Sequence, residues 1–232
     1  MRWLPRRGPA PEDPFAAARV AMVQRQLRGR GLTDELVLTA MASVPRERFV
    51  PATLVERAYD DDALPIDDGQ SISQPYIVGW MTELLRVEPG MAVLEVGTGS
   101  GYQAAVLAAM GAEVRSLERL PDLAAAARQR LADLGFDERV TVILADGSLG
   151  DPSHAPHDRI IVTAGAPTLP GPLLDQLAEG GRLVIPVGAS GEQRLVVVTR
   201  TDGQVVKRPV GACAFVPLIG AAGYRSGDPG PV

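Results

Sequence analysis

Cysteine and histidine are nearly absent from this chain of 232 residues. Cys213 is the only cysteine, which excludes an internal disulfide and a multi-cysteine zinc site and favours a reducing compartment. His154 and His157 lie in one segment beside proline and aspartate, and no third ligand accompanies them. We therefore expect no bound metal, and we interpret both histidines as solvated loop residues.

Basic charge and long apolar runs are also scarce. The net charge is −5, whereas a protein that binds nucleic acid through its phosphates is expected to carry a basic face. No stretch approaches the ~18 apolar residues that a membrane-spanning helix needs. Apolar residues nevertheless make up 46% of the chain, so a buried core is expected. We predict a globular cytoplasmic protein with neither a nucleic-acid nor a membrane partner.

What the chain does contain is a strand, glycine turn and helix at residues 91–102. The apolar run 92–96 predicts a buried parallel strand, three glycines spaced two apart follow it, and a helical pattern begins at Gln103. Such a loop brings its backbone close to a ligand beside the positive end of a helix. Dinucleotide-binding folds use G-x-G-x-x-G, but here Tyr102 replaces the last of those glycines and Glu95 precedes the first. A carboxylate suits the cationic amino-acid end of S-adenosylmethionine better than a pyrophosphate. The loop therefore favours a methyltransferase, with a tight turn that binds nothing as the alternative.

The order of the predicted elements indicates an α/β fold with a doubly wound, mostly parallel sheet. Strands are predicted at 92–96, 113–118, 140–145, 158–164 and 182–187, helices at 103–110, 121–134 and 172–178, hairpin strands at 193–199 and 205–209, and a last strand at 214–218. An Asp-Gly pair marks the hairpin turn. Five parallel strands finished by an antiparallel pair are the Rossmann-like arrangement of the class I methyltransferases.

The chain divides into four predicted parts. Residues 1–13 are rich in proline, arginine and glycine and form a disordered extension. Residues 14–74 form N-terminal helices and an active-site loop that pack on the main domain. Residues 75–222 form the cofactor-binding methyltransferase domain, and residues 223–232 form a loose tail.

The N-terminal helices are predicted from their caps and their ends. The first helix is expected to have Asp13 as its N-cap and to end at Gly29 or Gly31. Thr33 is expected to cap a second helix, and residues 52–58 to form a third. We see no internal repeat in this part of the chain.

Two acidic residues are predicted at the carboxyl ends of parallel strands, where α/β sheets bind their ligands. Glu118 follows Gly101 by 17 residues, close to the ~20 expected for an acid that accepts both ribose hydroxyls. Asp146 ends the third strand and can accept a hydrogen bond from an adenine amino group, while Gly147 leaves room for the ring. An ordinary Asp-Gly turn is the alternative for Asp146.

The acidic stretch 59–75 shows neither a helix nor a strand pattern, and loops of this length are usually functional or disordered. It leads directly into an amphipathic helix from Pro75 to about Arg86, so Ser73 or Gln74 lies at or beside the N-cap of that helix. One interpretation is that Ser73 simply caps the helix. The other is that its hydroxyl, with nearby amides, holds an anionic group of a substrate.

Nine segments together carry a resemblance to a known family. They are 69–75 (Gly-Gln-Ser-Ile-Ser-Gln-Pro), 81–85, 94–105, 116–119, 161–164, 175–177, 180–183, 186–188 and 215–218. From about residue 20 to 220 the chain resembles the protein-L-isoaspartate O-methyltransferases. The first segment is specific to that family, whereas the glycine loop is shared by many.

This resemblance implies methyl transfer from S-adenosylmethionine to the free α-carboxylate of isoaspartyl residues in damaged proteins, with S-adenosylhomocysteine as the product. The ester then collapses to a succinimide and partly reopens as aspartate. Ser73 is the implied catalytic residue. The implied cofactor-binding residues are Ser71, Ile72, Glu95, Gly97, Thr98, Gly99, Ser100, Gly101, Glu118, Asp146 and Gly147. The implied substrate-binding residues are Gln74, Thr163, Ala164 and Gln193. The expected partners are isoaspartyl proteins and peptides as substrates. The protein is expected to be a monomer.

Three other functions share parts of this pattern. A class I methyltransferase that acts on a nucleic acid or a small metabolite has the glycine loop and both acids. Enzymes that methylate bases carry an Asn/Asp-Pro-Pro-aromatic motif after the fourth strand. In this chain residues 163–167 occupy that position, and they do not match the motif. A non-catalytic cofactor-binding module keeps the fold without activity, but the Ser73 segment opposes it. An NAD-dependent dehydrogenase is disfavoured by Tyr102 and Glu95.

Overall fold

The computed structural model describes residues 13–189 and 191–225. Apart from Asp13, the predicted extension 1–13 lies outside the described residues, and so does most of the predicted tail 223–232. In the part of the chain that the structure describes, no helix is both long and apolar enough to cross a membrane.

A seven-stranded sheet forms the centre of the fold. Its strands are β3 (Ala92–Val96), β4 (Glu113–Glu118), β5 (Val140–Leu144), β6 (His157–Val162), β7 (Leu177–Val187), β8 (Gln193–Thr201) and β9 (Gln204–Cys213). Their order is β5-β4-β3-β6-β7-β8-β9. The first five of these pair in parallel, and β8 and β9 are antiparallel to their neighbours. The predicted doubly wound α/β fold with an antiparallel C-terminal edge is confirmed.

Helices cover both faces of this sheet, which is why its parallel strands are apolar on both sides. They are α3 (Pro75–Leu85), α4 (Tyr102–Ala109), α5 (Pro121–Asp133) and α6 (Gly171–Asp175). Successive residues of a strand point to opposite faces. Accordingly, Val93 of β3 belongs to one core cluster, and Leu94 and Val96 belong to the other.

The N-terminal residues form a helical layer beside the sheet domain. It consists of α1 (Ala16–Met22), a π-helical turn (Val23–Leu27), a 3-10 turn (Arg28–Arg30), α2 (Glu35–Ser43) and 3-10 helices over Arg46–Phe49 and Ala52–Arg57. The first helical run ends where Gly31 adopts a φ of 93°. α2 packs on α3 and α4, and the ring centroids of Phe49 and Tyr102 are 5.4 Å apart. The predicted third helix is therefore present, but it is a 3-10 helix.

Two predicted helix caps are wrong by one or two positions. Phe15 occupies the N-cap of α1, although the Asp13 carboxylate does accept a hydrogen bond from its N–H at 2.9 Å. Asp34 caps α2 by accepting two backbone N–H groups. Thr33 instead donates its N–H and its hydroxyl to the Glu83 carboxylate. Adjacent Thr and Asp are both good caps, and Glu83, from a distant helix, decides between them.

The stretch 59–75 is not free of secondary structure, so that prediction is wrong. It contains β1 (Leu64–Pro65), a 3-10 turn (Asp67–Gly69) and β2 (Ser71–Ile72). β1 and β2 pair antiparallel, with Leu64 opposite Ile72, and both of these side chains are buried. Strands of two residues are too short to show an alternating pattern in the sequence.

The predicted last strand at 214–218 is also wrong. Apart from a single bridge between Gly165 and Pro217, this segment crosses the carboxyl ends of the strands instead of extending the sheet. The N–H of Gly165 donates to the carbonyl of Val216, and the N–H of Leu218 donates to the carbonyl of Gly165, both at 2.8 Å. Pro217 has no N–H for a regular strand ladder.

Two further expectations about the C-terminal half need correction. α6 is shorter than predicted, and β7 begins at Leu177 rather than at Arg182, because the strand also includes Gly180 and Gly181. His157 is not a solvated loop residue. It is the first residue of β6, 1% exposed, and burial lowers its pKa.

Candidate active site

A cavity of about 290 Å³ lies at the carboxyl ends of β3, β4 and β6. The sheet order reverses there, since β4 and β6 flank β3 on opposite sides, and α/β folds bind ligands at this position. The predicted residues that line the cavity are Ser71, Ile72, Ser73, Gly97, Thr98, Gly99, Ser100, Glu118, Gly147, Thr163 and Ala164. The glycine loop, the β1–β2 hairpin and the segment 215–219 form its walls. The volume is close to that of a site for a small molecule or cofactor.

Gly97 is required at the point where the loop leaves β3. Its φ is 95°, and a Cβ atom there would clash with Oγ1 of Thr163. That hydroxyl is 2.6 Å from the carbonyl of Gly97 and 3.0 Å from the carbonyl of Val96. The missing side chain thus lets the ends of β3 and β6 join through a hydrogen bond. Gly101, by contrast, turns away from the cavity and packs against Leu131 of α5.

Glu95 lies behind the glycine loop and is fully buried. Ser116 donates a hydrogen bond to its Oε2, and the Ser116 hydroxyl is 2.6 Å from that of Thr98 in the cavity wall. Its Oε1 has no hydrogen-bond partner among the described residues. Burial raises the pKa of Glu95 to about 8. The hydrogen bond from Ser116 lowers this pKa, and the negative charge of nearby Glu118 raises it further. The carboxyl is therefore mainly protonated at neutral pH.

Glu118 is held rigidly at the end of β4. Its Oε1 accepts the N–H groups of Arg119 and Leu120 at 2.8 and 3.0 Å, and its Oε2 accepts the N–H of Gly99 at 2.9 Å. A carboxylate offers about four acceptor positions. One position therefore remains for a ligand without the loss of a protein contact.

Asp146 faces a recess next to the cavity, which it lines together with Arg119 and Gly220. Its Oδ1 accepts the N–H and hydroxyl of Ser148 at 3.0 and 2.7 Å, and its Oδ2 accepts the N–H of Ala221 at 2.8 Å. Although partial burial opposes them, these hydrogen bonds hold the pKa of Asp146 below its ordinary value. Asp146 caps a 3-10 turn (Gly147–Leu149) and also anchors the segment after Ile219.

The Ser73 hydroxyl is available to a ligand. Ser73 is half-buried in the cavity wall, and its hydroxyl forms no hydrogen bond with any described residue. Gln74 is the N-cap of α3, and no side chain caps that helix. The interpretation that Ser73 simply caps the helix is therefore wrong.

Gln74 and Gln193 lie beside the cavity rather than in it. The Gln74 side chain donates to the carbonyl of Asp61 at 2.9 Å. Gln193 is 1% exposed, and its amide holds both backbone groups of Phe215, accepting the N–H at 2.9 Å and donating to the carbonyl at 3.2 Å. Phe215 lines the cavity, so Gln193 acts on the site through this neighbour.

The sequence interpretation missed most of the apolar lining. Cavity residues that were not predicted include Ile77, Val78, Met81, Tyr102, Gln103, Leu117, Leu120 and Phe215. The first three form one face of α3, immediately after Ser73. The only signal was an amphipathic helix that starts at a candidate catalytic residue, and such a face is ordinarily interpreted as core.

Comparisons with known sequences show which family the chain belongs to. A model of the protein-L-isoaspartate(D-aspartate) O-methyltransferase family matches residues 18–223. A protein-L-isoaspartate O-methyltransferase of Methanoculleus marisnigri is 51% identical over 213 residues, which cover 92% of this chain and 96% of that protein. Its counterpart in Hyperthermus butylicus is 50% identical, with coverages of 92% and 93%.

Solved structures show the same relationship. A protein-L-isoaspartate O-methyltransferase superimposes with a TM-score of 0.80 at 30% identity, covering 88% of this chain and 67% of that chain. A Plasmodium falciparum protein, described as a protein-L-isoaspartate O-methyltransferase in complex with S-adenosyl-L-homocysteine, superimposes with a TM-score of 0.74 at 26% identity. That match covers 85% of this chain and 96% of the other.

Proposed function

Because the chain belongs to the protein-L-isoaspartate(D-aspartate) O-methyltransferase family, we propose that its cavity holds S-adenosylmethionine and an isoaspartyl carboxylate side by side. The chain is an S-adenosylmethionine-dependent enzyme that methylates the free carboxylate of L-isoaspartyl residues in proteins. We also propose a role for each residue of the site.

The cavity fits the cofactor in its size and in its acceptors. Glu118 has an acceptor position left for a nucleoside hydroxyl. Glu95 has a buried oxygen without a partner among the described residues, beside the loop expected to receive the cationic amino-acid end. We assign cofactor binding to Ser71, Ile72, Glu95, Gly97, Thr98, Gly99, Ser100, Gly101, Glu118, Asp146 and Gly147. For Asp146 the assignment requires that its carboxylate accept a hydrogen bond from the ligand in addition to the one from the N–H of Ala221.

The nucleophile needs no general base. S-adenosylmethionine, when bound, supplies an electrophilic methyl group on a sulfonium. A carboxylic acid with a pKa of about 4 is already ionised at neutral pH, so the transfer forms a C–O bond and breaks a C–S bond without moving a proton. This explains why no histidine or lysine is needed in the site.

Ser73 orients the carboxylate in this proposal. Its free hydroxyl donates to one carboxylate oxygen, and the other oxygen is left to attack. A single neutral donor positions the anion without neutralising it, which preserves its nucleophilicity. Ile72, Ile77 and Phe215 in the walls exclude water from the reacting atoms.

The two parts of the chain divide these tasks. We assign cofactor binding chiefly to residues 75–222 and the substrate side to residues 14–74. Thr163 and Ala164 in the cavity complete the substrate side, and Gln74 and Gln193 support it from beside the cavity. We also infer a cytoplasmic monomer that binds isoaspartyl proteins and no nucleic acid. The net charge of −5 supports the absence of a nucleic-acid partner, and the single cysteine suits a reducing compartment.

The observation that carries the proposal is the free Ser73 hydroxyl in the same cavity as the glycine loop. The test uses methyl-labelled S-adenosylmethionine and two synthetic peptides, one with isoaspartate and its twin with aspartate. We expect base-labile label on the isoaspartyl peptide alone. If neither peptide is labelled while the cofactor still binds, the acceptor is a nucleic acid or a small molecule instead.

A further inference from the structure

Arg46 is a buried charge with no role in the methyl transfer itself. It is 0% exposed and lies at the start of the 3-10 helix before the catalytic hairpin. Its Nε donates to the carbonyl of Ala58 at 2.7 Å, and its Nη2 donates to the carbonyl of Ser73 at 2.8 Å. Its Nη1 has no partner among the described residues.

No carboxylate in the described part of the chain forms a salt bridge with Arg46. Its sequence neighbour Glu47 is engaged by Arg19 and by the hydroxyl of Tyr59. The guanidinium instead lies 4.9 Å from the ring centroid of Tyr102. A buried cation without a counter-ion is costly, and arginine remains charged even when it is buried. The fold thus retains an uncompensated positive charge at this position.

That charge lies directly behind the catalytic serine. Arg46 contacts the backbone of Ser73, and its aromatic neighbour Tyr102 lines the same cavity. The N-terminus of α3 begins at the following residue and has no side-chain cap. The positive end of the helix and the guanidinium therefore favour an anion at the same place.

We propose that Arg46 is a positioning and specificity-determining residue. It fixes Ser73 through its carbonyl, and its charge makes the site prefer a carboxylate over a neutral group of the same shape. This inference rests on the proposed function, because it concerns the acceptor that Ser73 binds.

The test compares the isoaspartyl peptide as substrate with its carboxamide twin as a competitive inhibitor. The ratio of the two affinities measures the preference for charge, which a merely structural residue would not change. Three variants are needed. R46M removes both the hydrogen bonds and the charge. R46K keeps the charge but lacks the guanidinium that donates to two carbonyls at once. R19M is the control. Arg19 is a second buried arginine of the same helical layer, but its partners are Asp13, Glu47 and Tyr59.

In R46M we expect the KM for the isoaspartyl peptide to rise roughly tenfold and the carboxylate preference to fall close to unity. The affinity for S-adenosylmethionine, measured by calorimetry, should stay within about twofold, because the hydrogen bonds of Arg46 go to Ala58 and Ser73 and not to the glycine loop. R46K should keep the preference and lose kcat. R19M should lower the unfolding temperature and keep the preference.

A folded R46M with the preference of the wild type would overturn the inference, and so would an equal loss of preference in R19M. If R46M does not fold, R46K decides, because wild-type kcat in R46K would exclude the positioning role. Failure of the proposed function is a separate result, in which the wild-type enzyme methylates neither peptide.

Discussion

The two walls of the cavity are held in different ways. The glycine loop is fixed by its immediate surroundings: the N–H of Gly97 donates to the carbonyl of Leu117 at 2.8 Å, the Glu118 carboxylate accepts the N–H of Gly99, and Arg130 donates to the carbonyl of Ser100 at 2.7 Å. The β1–β2 hairpin has only two residue pairs. Leu64 and Ile72 bury their side chains in the core, and a hydrogen bond from Arg46 holds the backbone at Ser73, directly after the hairpin.

This difference matches the roles that we propose for the two walls. The cofactor is the same molecule in every turnover, so a wall of fixed backbone donors and acceptors can be organised before it binds. The acceptor is a residue within varied proteins, so the other wall presents one free hydroxyl and few fixed groups. One arginine on each side holds a loop carbonyl, Arg130 for the cofactor wall and Arg46 for the substrate wall.

The largest effect that we expect concerns the buried acid behind the cofactor wall. Glu95 has a pKa of about 8 in the folded protein against an ordinary 4.5. The stability that its protonated form contributes is complete below pH 4.5 and is lost as the pH rises towards 8. The unfolding free energy of the wild type should therefore fall by about 3–4 kcal/mol relative to Glu95→Gln between pH 5 and pH 8. Urea unfolding of both proteins across this range measures it, and parallel curves would contradict it.

Gly97→Ala should abolish the cofactor wall itself. A Cβ atom at φ 95° clashes with Thr163, so the ends of β3 and β6 must separate, and cofactor affinity should fall by about 3 kcal/mol or more. The control is Gly135→Ala, since Gly135 has a φ of 74° with nothing within 4 Å of its added Cβ. Calorimetry should find wild-type cofactor affinity in the control only.

Glu118→Ala should weaken S-adenosylmethionine binding by about 2 kcal/mol, because charge-assisted hydrogen bonds to the ligand and to Gly99 are both lost. The control is Glu113→Ala on the same strand. Glu113 is exposed at the opposite end of β4 and forms an ion pair with Arg139. Equal affinities in the two variants would remove Glu118 from the site.

Ser73→Ala should act on the opposite wall. We expect kcat to fall roughly tenfold, because the lost hydrogen bond to a charged group contributes about 1.5 kcal/mol. The cofactor affinity should stay unchanged. Ser153→Ala, in an exposed 3-10 turn, is the control for the loss of a hydroxyl. A single-turnover assay on the isoaspartyl peptide that finds wild-type rates would exclude the role of Ser73.

The cofactor wall was easier to predict from the sequence than the substrate wall. Its strand, its glycines and Glu118 follow one another within about thirty residues, so local pattern and spacing were sufficient. The chemical state of Glu95 was not predictable, because its burial and its partner Ser116 come from a neighbouring strand. A carboxylate that was expected to be charged is instead mainly protonated.

The substrate wall depends on contacts between distant residues. The β1–β2 hairpin is too short to give a periodic signal, and the buried face of α3 looks like ordinary core. Arg46 lies 27 residues from Ser73 in the chain, within an arginine-rich segment that would normally be interpreted as solvent-exposed. Residues 214–218 have the composition of a strand, but Gly165 and Gln193 determine their path. Such pairings are decided by the tertiary structure.

The anchoring of the segment after Ile219 has a consequence for biosynthesis. The N–H groups of Ala221 and Ala222 bind Asp146 and Ser148, and the hydroxyl of Tyr224 binds the carbonyl of Gly188 at 2.7 Å. A nascent chain folds as it leaves the ribosome, with its N-terminal parts first. Both Ser73 and the glycine loop emerge long before these residues do. The growing polypeptide therefore carries Ser73 and the glycine loop while the wall formed by residues 215–219 is still missing, and the anchors of that wall are complete once Tyr224 has been added.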